Sequence, residues 1–205
     1  MDVICVLKSG GGYDGEWVRK LRDGVARNLT ITHRFRCLSD VEVPCERMPL
    51  EHNWPGWWSK LEMFRKGVIT EPTLYLDLDT LITGPLDEIA KISYPFAALR
   101  NFHQPDYIGS GVMWFRDADS VPHRVYEKFK RMPDAYIAHH ERVKVGSHLG
   151  DQAFIWDTLR GEIPYLTDEF KGVYSYKYHC KSYLPEDAAI VAFHGSPRLH
   201  EVKSP

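Results

Sequence analysis

A chain of 205 residues that is 43% hydrophobic and 26% charged has enough apolar material for one sizeable core, and is short for two domains of ordinary size. Its formal net charge of -2 gives no electrostatic basis for binding nucleic acid or an anionic membrane. No apolar run reaches the length of a membrane span, the start Met1-Asp2-Val3-Ile4 lacks the basic and apolar regions of a signal peptide, and Cys5, Cys37, Cys45 and Cys180 show no CxxC spacing. The expectation is a cytoplasmic single-domain protein with reduced thiols.

Val3 to Leu7 is a buried strand that runs into the glycine loop Lys8 to Gly15. A helix follows from Glu16 to Asn28, with Trp17, Leu21 and Val25 four apart on one face. Ile31 to Leu38 alternates in part and reads as a second, less buried strand, and Val43 to Pro49 reads as loop. The segment His52 to Trp58 leads into a helix over Ser59 to Lys66. Its tryptophans, Trp54, Trp57 and Trp58, are either core or a stacking platform for sugar rings, core being the commoner fate of side chains this large. Thr73 to Ile82 is a central apolar strand set between Pro72 and Gly84-Pro85, and proline opens a short helix at Pro85 to Ile89. Phe96 to Leu99 and Gly109 to Phe115 are further strands; Val121 to Met132 and Gly150 to Gly161 are helices. Val173 to Tyr178 is an edge strand or a loop over the site. Ala189 opens a last buried strand that ends in His194-Gly195-Ser196-Pro197-Arg198. The pattern predicts an α/β fold with a mainly parallel twisted sheet flanked by helices.

In such sheets ligands gather at the carboxyl ends of the strands, which is where Asp77 and Asp79 stand. Two apart on an extended chain, their carboxylates point to one face. Like charges brought together out of water share a proton or bind a cation, and oxygen-only ligands favour Mg²⁺ or Mn²⁺. Gly10, Gly12 and Gly15 also fit G-x-G-x-x-G after a strand. A dinucleotide site, however, calls for an acidic residue ending a second buried strand about 20 positions on, and Asp40 lies too far along and follows a polar segment.

The run Asp77-Leu78-Asp79-Thr80-Leu81 resembles the Asp-x-Asp motif of GT-A glycosyltransferases, in particular glycosyltransferase family 8, the group of glycogenin and bacterial galactosyltransferases. Other segments fall in the same order. The resemblance implies a nucleobase loop at Ser9, Gly10 and Gly11 with Tyr13 stacking on the base, and places Lys60, 17 residues before Asp77, on the donor diphosphate. Ser110-Gly111 resembles the family's Asn-Ser-Gly-Val segment against the donor sugar, with Gly109 in place of the asparagine. Asp151-Gln152 resembles the Asp-Gln pair beside the anomeric carbon, although aspartate before a helical run is also a common N-cap. At the C-terminal motif, Arg198 takes the place of the diphosphate-binding lysine, while the family's histidine position is Ala192 and the histidine present is His194. His194 is thus a candidate third metal ligand. The resemblance implies a single GT-A domain over residues 1–205 and a metal-dependent, retaining transfer of a hexose from a nucleotide-sugar, with a uridine donor (UDP-sugar), Mn²⁺ or Mg²⁺, and a glycan, protein or small molecule as acceptor.

Two other readings stay open. Asp77 and Asp79 also approach the nucleophile motif of haloacid-dehalogenase-like phosphohydrolases. That family needs a later acidic pair, for which Gly150-Asp151 and Asp157 are poorly spaced, and its nucleophile strand usually comes first. A nucleotide- or carbohydrate-binding module without turnover is the other.

Overall fold

The computed structural model describes residues 1–144, 149–159 and 163–202. Its main sheet has six strands: β1 (Asp2–Leu7), β2 (Arg34–Ser39), β3 (Glu46–Pro49), β4 (Thr73–Leu76), β6 (Phe96–Arg100) and β7 (Ile108–Phe115). They lie in the order β3-β2-β1-β4-β7-β6. Five run the same way, and β7 runs against its neighbours β4 and β6. A second, three-stranded sheet joins β5 (Thr80–Ile82), β9 (Ile190–Ala192) and β8 (Val173–Ser175) in that order. This is the mainly parallel α/β architecture that the sequence predicts.

Strand β1 shows why the sheet is covered on both faces. Val3, Cys5 and Leu7 face one core, together with Leu74 and Leu76 of β4 and with Val18, Leu21 and Val25 of helix α1 (Gly15–Asn28). Ile4 and Tyr75 face the other, against Trp58, Phe64 and three helices: α2 (Arg124–Arg131), α3 (Pro133–His140) and α4 (Gly150–Leu159). The period of two sends alternate residues to opposite sides, so an unbroken apolar run is needed. The start of α1 is set by Asp14, whose carboxylate accepts the Glu16 N–H at 3.0 Å. Phe129 of α2 anchors the second core. Its ring stacks on Trp58 at 5.2 Å and meets Trp54 edge-on at 4.7 Å. Phe129→Ala is expected to lower stability by about 3–5 kcal/mol, measured as a shift in urea midpoint at constant m-value; a loss below about 1 kcal/mol counts against this packing.

Several expectations change. The central run is two strands rather than one, because its partners change in the middle. The Asp77 N–H donates to the Gly111 carbonyl at 2.9 Å, closing the pairing of β4 with β7, and the Phe193 N–H donates to the Asp79 carbonyl at 2.9 Å, opening the pairing of β5 with β9. Val43 to Pro49 contains strand β3, whose pairing to β2 is a nonlocal choice. Gly56–Phe64 is a 3-10 segment rather than an α-helix. The helix expected over Val121 to Met132 starts at Arg124, after Pro122, and Pro133 opens α3. Strand β8 is an edge strand only as far as Ser175, where a single wide turn over Tyr176–Cys180 takes over. The helix end expected at Gly161 lies outside the described residues. All four cysteines are free, and among the described residues no helix is long and apolar enough to cross a membrane.

Candidate active site

The carboxyl ends of β1 and β4 open into a pocket of about 370 Å³. It is lined by Gly11, Gly12 and Tyr13 of the glycine loop, by Trp57 and Lys60, and by Asp77, Asp79, Arg198 and His200. The size suits a small-molecule ligand.

The wall is held by charge. Lys60 is 7% exposed, and its Nζ lies 2.9 Å from Asp77 Oδ2 and 3.0 Å from Asp151 Oδ2. It also reaches Ser110 Oγ at 3.2 Å, and that hydroxyl donates to Asp151 Oδ2 at 3.0 Å. Burial disfavours the ammonium, but the carboxylates of Asp151 and Asp77 outweigh it and hold its pKa above the ordinary lysine range. Asp77 is tied twice, since the buried Tyr75 hydroxyl donates to its Oδ1. A methyl group at Gly111 would stand 3.3 Å from Asp77 Oδ2, so a residue without a side chain lets β7 approach the aspartate. Gln152, next on α4, accepts the Ser110 N–H at 3.2 Å. Asp151 lies one residue inside α4, faces inward and joins the helix to the aspartate strand.

Asp79 sits across from this network. Arg198 Nη1 lies 2.9 Å from its Oδ2. Burial, and then the charge of Asp77, drive its pKa up to about 7 against the opposing pull of Arg198. Tyr13 feels the same field: burial and the charges of Asp79 and Asp77 push its phenol up to about 12, and its buried hydroxyl has no hydrogen-bond partner among the described residues. Two carboxylates on one pocket wall, Asp77 and Asp79, are the donor set of a hard divalent ion. Mn²⁺ or Mg²⁺ fits Asp77 and Asp79. Among the described residues no third His, Cys, Asp or Glu joins them to complete a metal cluster, so a bound ligand's own oxygens would have to fill the shell.

The remaining candidates divide. Gly11 and Tyr13 line the pocket; Ser9 and Gly10 do not. Ser9 turns to Asp40, its N–H bonding Oδ1 at 2.9 Å and its hydroxyl Oδ2 at 2.6 Å, while Gly10 makes the turn with φ +87°. His194 is not brought to the aspartates. Strand β9 stops at Ala192, and the His194 ring bonds Ser175 Oγ at 2.7 Å and stacks on Phe102 at 5.7 Å. Burial lowers its pKa, as do the nearby cations Lys177 and Arg198. Sequence reading missed His200. The short turn Leu199–Glu201 lays it against Gly12 and edge-on to Tyr13 at 5.3 Å; its place two residues after Arg198 was the available signal. Of the three tryptophans, Trp54 and Trp58 are core, and Trp57 is 54% exposed at the pocket edge.

No protein-family model matches the sequence, and no curated protein matches it. Solved structures do. The glycosyltransferase GlyE of Streptococcus pneumoniae TIGR4 superposes with a TM-score of 0.69 at 15% identity, over 96% of this chain and 55% of GlyE. The galactosyltransferase LgtC, in complex with donor and acceptor sugar analogs, gives 0.61 at 12% identity over 97% of this chain and 88% of LgtC. The bifunctional glycosyltransferase WbbM gives 0.59 at 11% identity over 96% and 46%. The chain has the GT-A-like fold of these glycosyltransferases. It spans about half the length of GlyE.

Proposed function

We propose that this chain transfers a sugar from a nucleotide-diphosphate sugar, with uridine as the base, to an acceptor that is a glycan, a protein or a small molecule. The observation that carries the reading is the wall on which Lys60 joins Asp77 to Asp151 and Arg198 meets Asp79, with the Tyr13 loop lining the same pocket. It supports a diphosphate beside Asp77 and Asp79 and a base against Tyr13.

Asp77 and Asp79 would hold a Mn²⁺ or Mg²⁺ ion, which would supply Lewis-acid stabilisation of a leaving diphosphate. Arg198 is placed to exchange Asp79 for a phosphate oxygen through two parallel hydrogen bonds, and Lys60 adds a fixed positive charge behind Asp77. Negative charge grows on the diphosphate as the glycosidic bond breaks, so these cations favour the transition state over the bound donor. Asp151 and Gln152 are assigned to the reacting carbon of a hexose. Lys60 and Ser110 hold the Asp151 carboxylate in place, which suits stabilisation of a positive sugar ring in a retaining transfer. The phosphohydrolase reading is not favoured, because Asp157, the later acid it would need, points to Lys128 at 4.0 Å. Nor is the binding module, since the fold and its neighbours point to transfer.

Thermal unfolding with UDP, GDP, CDP and NAD, each with Mn²⁺ and with EDTA, tests the proposal. A ligand at a hundred times its dissociation constant adds about 2.7 kcal/mol to the folded state. Stabilisation by UDP that EDTA removes is the expected result. Indifference to every diphosphate, or a response to NAD alone, overturns it.

A further inference from the structure

On the far side of Leu78 and His200, which line both cavities, lies a second groove of about 600 Å³. Helix α1 forms one wall with Trp17, Lys20, Gly24 and Arg27, a stripe at spacings of three, four and three. Ile82 and Val191 of the second sheet, with Phe193 just past its last strand, line the groove as a buried apolar floor, and residues 181–184 border it. Tyr183 and Leu184 among them are 71% and 51% exposed. Large apolar side chains left in water around a concave surface mark a binding site rather than a plain exterior.

The charges say what kind of ligand fits. Among the described residues no lining residue is acidic, while Lys20, Arg27 and Lys181 all border the groove. The acids of α1 make their ion pairs with other arginines, Glu16 with Arg19 at its carboxylate and Asp23 with Arg19 at 3.2 Å and Arg22 at 2.7 Å, while the fields of Lys20 and Arg27 reach Glu16 and Asp23 without contact. Lys20 Nζ rests over the Trp17 ring at 4.2 Å. Among the described residues none of the three groove cations has a carboxylate within ion-pair distance, in a chain whose net charge is -2. An apolar floor with a cationic, acid-free rim complements one apolar chain carrying an anionic head.

We propose that this groove binds a single anionic amphiphile, a phosphate-headed molecule with one apolar chain, the chain along the floor and the head at the cationic rim. The site stands independently of sugar transfer. Its occupant is one molecule entering from solution and not a membrane surface.

The probe is n-dodecyl phosphate below its micellar concentration, titrated calorimetrically beside dodecyl maltoside, inorganic phosphate, and phosphatidylcholine vesicles with and without phosphatidic acid. Alkylation of Cys180, which lines the groove, is followed by mass spectrometry with Cys45 as the internal reference. Expected are saturable one-to-one binding of dodecyl phosphate, about tenfold tighter than dodecyl maltoside as one charge-assisted hydrogen bond implies, and slowed alkylation of Cys180 alone. Lys20→Glu with Lys181→Glu should weaken that binding about tenfold or more while leaving the melting temperature and the UDP response unchanged. Equal binding of the neutral and anionic amphiphiles overturns the proposal. So do binding to acidic vesicles without binding of the monomer, protection of both cysteines, and full affinity in a folded double variant.

Discussion

Lys60→Met is expected to destabilise the protein by about 3–5 kcal/mol, because it leaves two carboxylates on a buried wall without their cation. The methionine keeps the length of the side chain, so the loss reports charge rather than volume. Asp151 is 9% exposed at its side chain and Asp77 27%, and the one ammonium lies within 3.0 Å of both. With the cation gone, Asp151 keeps the Ser110 hydroxyl and Asp77 keeps the Tyr75 hydroxyl, which are weaker partners than an ammonium. The lysine pKa is raised in the folded state, so its contribution is fully present at pH values below the ordinary lysine range and fades only as pH climbs through the raised value. Urea unfolding at pH 7 measures it. A loss below about 1 kcal/mol would show that water reaches this wall and that the network does not hold α4 against the sheet.

Asp79→Asn is expected to do the opposite to stability and to remove ligand binding. The folded state holds a proton on Asp79 up to about pH 7, whereas an unfolded aspartate releases it near 3.9. A raised carboxylate pKa means the folded protein binds the proton more tightly than the unfolded chain. The ionised side chain therefore costs stability, increasingly so from about pH 4 to about pH 7 and constantly above. Asparagine removes that cost, offset by the loss of the Arg198 ion pair. In EDTA at pH 8 the variant should equal or exceed the parent by roughly 1–3 kcal/mol, and at pH 4 the difference should vanish. Its Mn²⁺-dependent stabilisation by UDP should be absent. In the parent that stabilisation should strengthen between pH 6 and pH 8, as the ion no longer competes with the proton. A variant that is less stable at pH 8, or one that still responds to UDP with Mn²⁺, contradicts the assignment of Asp79.

These two aspartates were legible in the chain because their signal is local. An apolar run bounded by proline and glycine places whatever follows it at a strand end, and the alternation of two acids needs no distant partner to be seen. Lys60 was legible through family spacing alone. Nothing local says that its nitrogen bridges Asp77 to Asp151, which lie 74 positions apart in sequence. His194 was misplaced for the same reason in reverse. A histidine after a buried strand reads as a ligand at the strand's end, but Ser175 and Phe102, from two other segments, supply the better contacts.

The sequence by itself determined the α/β class, strands β1, β4, β6 and β7, helix α1, and the place of Asp77 and Asp79 just past the end of a buried strand, all of which follow from periodicity and chain breakers within a dozen residues. Only the tertiary structure decided that the central run divides between two sheets, that Trp57 stays outside the core that takes Trp54 and Trp58, and that His200 rather than His194 reaches the pocket. Each of those outcomes depends on which distant backbone groups and side chains compete for the same hydrogen bonds and the same apolar space. That competition is settled by packing, and a linear pattern does not record it.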